Sequence, residues 1–192
     1  MRFHTFFFLF IFICSCSGGY FPKPSGYFRI ELEQPVYRQF KDSSALFSFN
    51  IQQQANIMAV VDTVEGDDWF DIDYPSLNAR IYCSLLPIRS GKDLIAVSED
   101  SHKFVYIHAI KADGISEKSY SDPENKVYAL IYDVDGNVAS PVQFVITDSI
   151  HYFLRGALSF NEVPNRDSIA PVKDYIRNDI QEIITSFRWL HE

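Results

Sequence analysis

In the second half of the chain, Val127-Tyr128-Ala129-Leu130-Ile131-Tyr132, Val142-Gln143-Phe144-Val145-Ile146 and Tyr152 to Phe160 are apolar runs. Only short polar breaks separate them, Asp133-Val134-Asp135-Gly136-Asn137 and Asp148-Ser149. Parallel neighbours need a crossover of roughly a dozen or more residues, so runs this close must pair antiparallel, as a meander of three strands. Asp135-Gly136 is its clearest hairpin signal. The first half carries the same period of two. Tyr27 to Leu32 and Ala45 to Phe49 alternate, and further strands are expected at 57–61, 69–74 and 79–86.

Two segments change period. From Gly91 to Ala112, the residues Leu94, Val97, Ser101, Phe104, Val105 and His108 recur at steps of three and four, with Glu99, Asp100 and Lys103 on the other face. Near the C-terminus, Asn165 and Asp167-Ser168 are candidate caps. They precede Ile169, Val172, Tyr175, Ile176, Ile180, Ile183, Ile184 and Phe187 at helical spacing. Antiparallel strands with two one-sided helices imply the α+β class, an antiparallel sheet carrying two amphipathic helices. The order of elements is similar to the Mog1/PsbP-like arrangement.

The N-terminus defines the compartment. Arg2 and His4 precede the apolar stretch Phe6 to Ile13, which is shorter than the roughly twenty residues a bilayer span requires, so a cleaved secretory signal is the reading. Ile13-Cys14-Ser15-Cys16 places a small residue before Cys16 and an aliphatic one three positions ahead, the pattern of lipoprotein processing. Cys14 competes poorly, because bulky Ile13 precedes it. Residues 1–15 are expected to be the signal peptide, Cys16 the lipidated residue, 16–26 a tether and 27–192 a single α+β domain. At about 3.3 Å per residue, the Gly-, Pro- and Ser-rich tether reaches some 30 Å. A multi-chain lipid on Cys16, palmitate included, anchors firmly at about 0.8 kcal/mol per buried methylene.

Loss of Arg2 leaves 16 basic against 25 acidic residues, a net charge of −9. No basic cluster exists to bind phosphates, so nucleic acid is not an expected partner. With Cys14 removed and Cys16 acylated, Cys83 is the one remaining thiol and forms no internal disulfide; its apolar run marks it as a buried structural cysteine.

Sites of chemistry are few. Asp133, Asp135 and Asn137 begin like a calcium loop, but Gly136 stands at the fourth position instead of the sixth, and Phe144 stands where the bidentate Glu belongs. Glu65, Asp67, Asp68, Asp71 and Asp73 surround Trp69-Phe70, where they would bind a cation, form an acid/base pair, or line a solvated loop entering a strand. His102, His108, His151 and His191 lack metal spacing. Because no nucleophile elbow, phosphate loop, dinucleotide fingerprint or Cys-x-x-Cys pair is present, neither an enzyme nor a cofactor is expected. Arg155 is a fixed charge inside the apolar strand Tyr152 to Leu158, so it must reach solvent, an acid or a partner. Gly156 and Ala157 beside it leave room for something to approach the backbone, which makes Arg155 and Gly156 a candidate docking site.

Longer strings carry a family likeness. Pro22-Lys23-Pro24-Ser25-Gly26-Tyr27-Phe28-Arg29-Ile30, Tyr132-Asp133-Val134-Asp135-Gly136-Asn137-Val138-Ala139-Ser140, His151 to Phe160 and Asn165 to Val172 resemble the gliding motility-associated lipoprotein GldD family of the Bacteroidetes. The resemblance implies an accessory role in gliding motility and in the type IX secretion machinery, with other gliding lipoproteins and the ring or motor components as partners. It transfers one functional residue, the lipidated Cys16. A periplasmic module binding a small ligand or peptidoglycan is the alternative. No acidic residues follow Cys16, which places the domain in the periplasm, lipid-anchored to a membrane of the cell envelope.

Overall fold

Alternation along the strands gives the main sheet two unlike faces, and each face receives one helix. The structure is a computed structural model and describes residues 31–44, 46–60, 68–107, 111–162 and 165–190. In chain order its elements are β1 (Tyr37–Lys41), β2 (Phe47–Gln52), β3 (Asn56–Ala59), β4 (Asp68–Tyr74), β5 (Ala79–Pro87) and α1 (Gly91–Tyr106). They continue with β6 (Ala112–Asp122), β7 (Val127–Gly136), β8 (Val142–Thr147), β9 (Tyr152–Phe160), α2 (Arg166–Ser186) and β10 (Arg188–Trp189). A seven-stranded sheet runs β3-β4-β5-β9-β8-β7-β6, and a smaller one β1-β2-β10. Every strand pair is antiparallel. The class expected from sequence, α+β with antiparallel strands and two helices, is the class observed.

Over its central strands, one face of the large sheet is apolar. Ile72 and Tyr74 of β4, Ile81 and Cys83 of β5, Ile131 of β7, Phe144 of β8 and Leu154 of β9 are all buried in one cluster. Val172, Ile176, Ile180 and Ile183 of α2, spaced three and four apart, close that cluster together with Phe47, Phe49 and Ile51 of β2. Ring pairs knit the seam: Phe47 lies 5.5 Å from Phe187 and 5.7 Å from Phe70, centroid to centroid. The Asn165 side chain caps α2 by accepting from the Ser168 amide at 3.4 Å, so of the candidate caps Asn165 is the one in use.

The opposite face carries α1. Its first turn is fixed by the Ser90 hydroxyl, which accepts from the Asp93 amide at 3.2 Å, while the Asp93 carboxylate accepts from the Arg89 amide at 3.0 Å. Only Ser101 and Val105 of α1 are fully buried, and Val105 packs with Tyr132, Val134 and Val138 in a second, small cluster.

Three expectations require correction. The first helix ends at Tyr106 instead of Ala112, because Ala112 already opens β6. The meander has four strands, since the polar β6 pairs along β7. Asp133 to Gly136 is not a turn but the end of β7, and the chain reverses across 137–141, where the Val134 amide donates to the Pro141 carbonyl. Gly136 has φ of +121°, and a Cβ there would sit 2.7 Å from the Lys111 carbonyl oxygen. Its role is close approach to the chain entering β6 rather than a hairpin. The expected strand at 27–32 lies largely outside the described residues; Glu31 and Leu32 are in no strand.

Candidate functional site

The helix α1 does not seal the sheet it lies on, and a cavity of about 540 Å³ remains between them. Register builds its floor from two cross-strand rows. Trp69 of β4, Ser84 of β5, Arg155 of β9 and Val145 of β8 face one another in the first. Asp71, Tyr82, Ala157, Gln143 and Tyr132 form the second, running from β4 to β7. Side chains of one row sit on the same face because residues two apart on a strand share a side. Ala157, the smallest member, lies midway along its row and leaves the floor low there. Ser101, Phe104 and Val105 of α1 make the roof.

The charges in this wall are unequal in their partners. Asp71 is 8% exposed and bonded to Arg80 Nη1 at 3.3 Å, while Arg80 Nε donates to Asp73 at 3.1 Å. Burial raises the Asp71 pKa, and the neighbouring Arg80 opposes that rise. Arg155 is half-buried and donates from Nε to the Ser84 hydroxyl at 2.7 Å; its guanidinium carbon stands 5.0 Å from the centre of the Phe104 ring. Among the described residues it forms no ion pair with any carboxylate. Ser101 Oγ, Ser140 Oγ and Gln143 Nε2, all on residues of the wall, are buried and have no hydrogen-bond partner among the described residues. Such atoms each cost free energy when dry, about 1–3 kcal/mol. Cys83 also borders the cavity, but burial pushes its thiol pKa far up, which makes it a poor nucleophile.

A family model described as gliding motility lipoprotein GldD matches residues 17–189. The chain belongs to the GldD family. No curated protein matches it. Among solved structures, the solution structure of cyanobacterial PsbP (CyanoP) from Synechocystis sp. PCC 6803 is similar, with a TM-score of 0.48 and 14% identity. The match covers 92% of this chain and 98% of that one. A likeness at that level is no argument about function.

In this GldD-family chain, Arg155 and Gly156 both lie in the cavity wall. What approaches Gly156 is internal: a Cβ there would overlap the Phe144 ring from the neighbouring strand, so the glycine makes room for a core phenylalanine. Of the acidic run, Asp71 and Asp73 converge on Arg80, Asp68 is exposed at the start of β4, and Glu65 and Asp67 lie outside the described residues. Cys16, His108 and His191 lie outside them too. His102 stacks on Tyr106 at 4.2 Å, and His151 Nδ1 lies 2.8 Å from buried Asp148. Trp69, Tyr82, Phe104 and Gln143 were not singled out from sequence. The signal for three of them was parity: Trp69 with Asp71, Tyr82 with Ser84 and Gln143 with Val145 alternate with core residues and so share the opposite face.

Proposed function

We propose that this GldD-family chain acts as a non-catalytic accessory or assembly factor of gliding motility and of the type IX secretion machinery on which gliding depends, held on a bacterial membrane by a lipid on Cys16 with its domain in the periplasm. The observation that carries this is the family match along residues 17–189. The non-catalytic part is supported by the state of the reactive groups. Asp71 and Asp73 are committed to Arg80, and the Cys83 thiol is buried. None of the described helices is long and apolar enough to cross a membrane. Deletion of the gene should abolish gliding and lower secreted-protein levels and the abundance of secretion components, with recovery on complementation. Wild-type gliding, secretion and component levels in the deletion strain would overturn the reading.

A second reading, a periplasmic module that binds a small ligand, is favoured by the cavity under α1. It is compatible with the first, since an accessory factor can be gated by what it binds. Its volume falls in the range of about 300–1,000 Å³ usual for small-molecule sites.

A further inference from the structure

We propose that the cavity beneath α1 is a binding site for a small carboxylate with a flat apolar body, its carboxylate held by Arg155. This rests on the binding-module reading and not on the role in secretion. Three observations converge on it. The first is charge: Arg155 is a half-buried cation in a strongly acidic chain, and among the described residues no carboxylate pairs with it. Its Nε is spent on Ser84 and its plane is fixed against Phe104, which leaves the Nη edge of the fork for a planar anion. The second is exposed aromatic surface. Trp69, Tyr82 and Phe104 are 40%, 48% and 55% exposed, yet all three border this one cavity from β4, β5 and α1. Rings left in water on three sides of a concave site are suited to enclose a flat apolar group.

The third observation is a set of buried polar atoms that have no hydrogen-bond partner among the described residues, Ser101 Oγ, Ser140 Oγ and Gln143 Nε2. Their residues line the same cavity as Arg155, where substituents of a ligand would relieve them at the cost of a side-chain rotation. Asp71 narrows the choice of ligand. Among the described residues Asp71 is the one carboxylate of the wall, and it is paired with Arg80, whereas Arg155 has no carboxylate partner there and meets an acid directly. The inferred ligand is therefore an anion.

The test uses the mature lipidated protein in nanodiscs, with empty nanodiscs as the baseline, and 2-naphthoate, 2-naphthamide and 2-naphthylmethylamine as probes in calorimetric titration. The expected result is one site for 2-naphthoate, at least tenfold weaker binding of the amide and amine, and at least tenfold weaker naphthoate binding in Arg155→Met. Tyr82→Ala alters an exposed side chain and should weaken acid and amide alike. Thermal unfolding of each variant confirms that it is folded. Equal binding of acid and amine, or unchanged naphthoate binding in Arg155→Met, overturns the carboxylate assignment while leaving a binding module standing. If none of the three probes binds the folded protein, the binding-module reading falls with it. A deletion phenotype decides the secretion role independently of either result.

Discussion

A methyl group added to Gly156 would be built into the ring of Phe144, which is itself buried in the core. Gly156→Ala should cost about 1–3 kcal/mol, the range of overpacked cores, in urea unfolding. Combined with Phe144→Leu, the cost should be less than the sum of the two single changes, because the bulk at one position vacates the other. Strict additivity would show that the contact is not the cause. Asp179 of α2 offers a second residue-scale test. It is 2% exposed, accepts a 2.8 Å hydrogen bond from the Tyr37 hydroxyl, and its pKa is raised by burial, with the Tyr37, Gln52 and Tyr74 side chains pulling the other way. A raised native pKa means that the folded state binds its proton where the unfolded chain has already lost it. The stabilising contribution is therefore complete below the ordinary Asp range and disappears as pH rises through the native value. Asp179→Asn keeps an acceptor for Tyr37 and removes this titration, so the melting temperature of the variant should improve relative to wild type as pH rises above the ordinary Asp range. A difference that stays flat with pH would refute the burial account.

At the scale of elements, the two helices are attached very differently. The long α2 buries Val172, Ile176, Asp179, Ile180, Ile183 and Ile184, whereas α1 buries only Ser101 and Val105 and leaves Ile95, Phe104 and Tyr106 exposed. Local opening follows buried contact, so backbone amides of α1 should exchange with deuterium well before those of α2. Ser90→Ala removes the cap of α1 at a cost of about 1 kcal/mol and should speed exchange in its first turns while leaving α2 unchanged. Equal protection of the two helices would contradict the attachment described. Elements whose own residues carried a strong period were legible from sequence: the boundaries of β9 and the extent of α2 follow the apolar spacing closely. Those that borrow their order from a neighbour were not. In β6, Ala112–Asp122, most side chains are exposed on both faces, and the strand exists because β7 offers it a ladder of hydrogen bonds at the sheet edge. The same holds for β1 and the two-residue β10, both of which owe their pairing to β2.

On the scale of the whole molecule, location and binding surface are separate parts. Cys16→Ala should yield a folded periplasmic protein that no longer fractionates with membranes and fails to restore gliding to a deletion strain; full complementation by the soluble form would show that anchoring is dispensable. The cavity should be indifferent to that change, since it is built entirely from β4, β5, β7, β8, β9, α1 and the neighbouring loops. By itself, the sequence determined the α+β class, the antiparallel pairing of its strands and the presence of a charge in an apolar strand, and it carries the lipoprotein-like pattern from which the anchor at Cys16 is proposed. These are properties of local spacing, written in periods of two and of three to four residues. Tertiary structure alone decided what Arg155 meets. Strand register brought Ser84 beside it, and the seating of α1 brought Phe104 over it, from positions far away in sequence. Which side chains share a floor is set by pairing between strands, and how much space remains above them is set by how closely a helix packs, so neither can be read from one strand at a time.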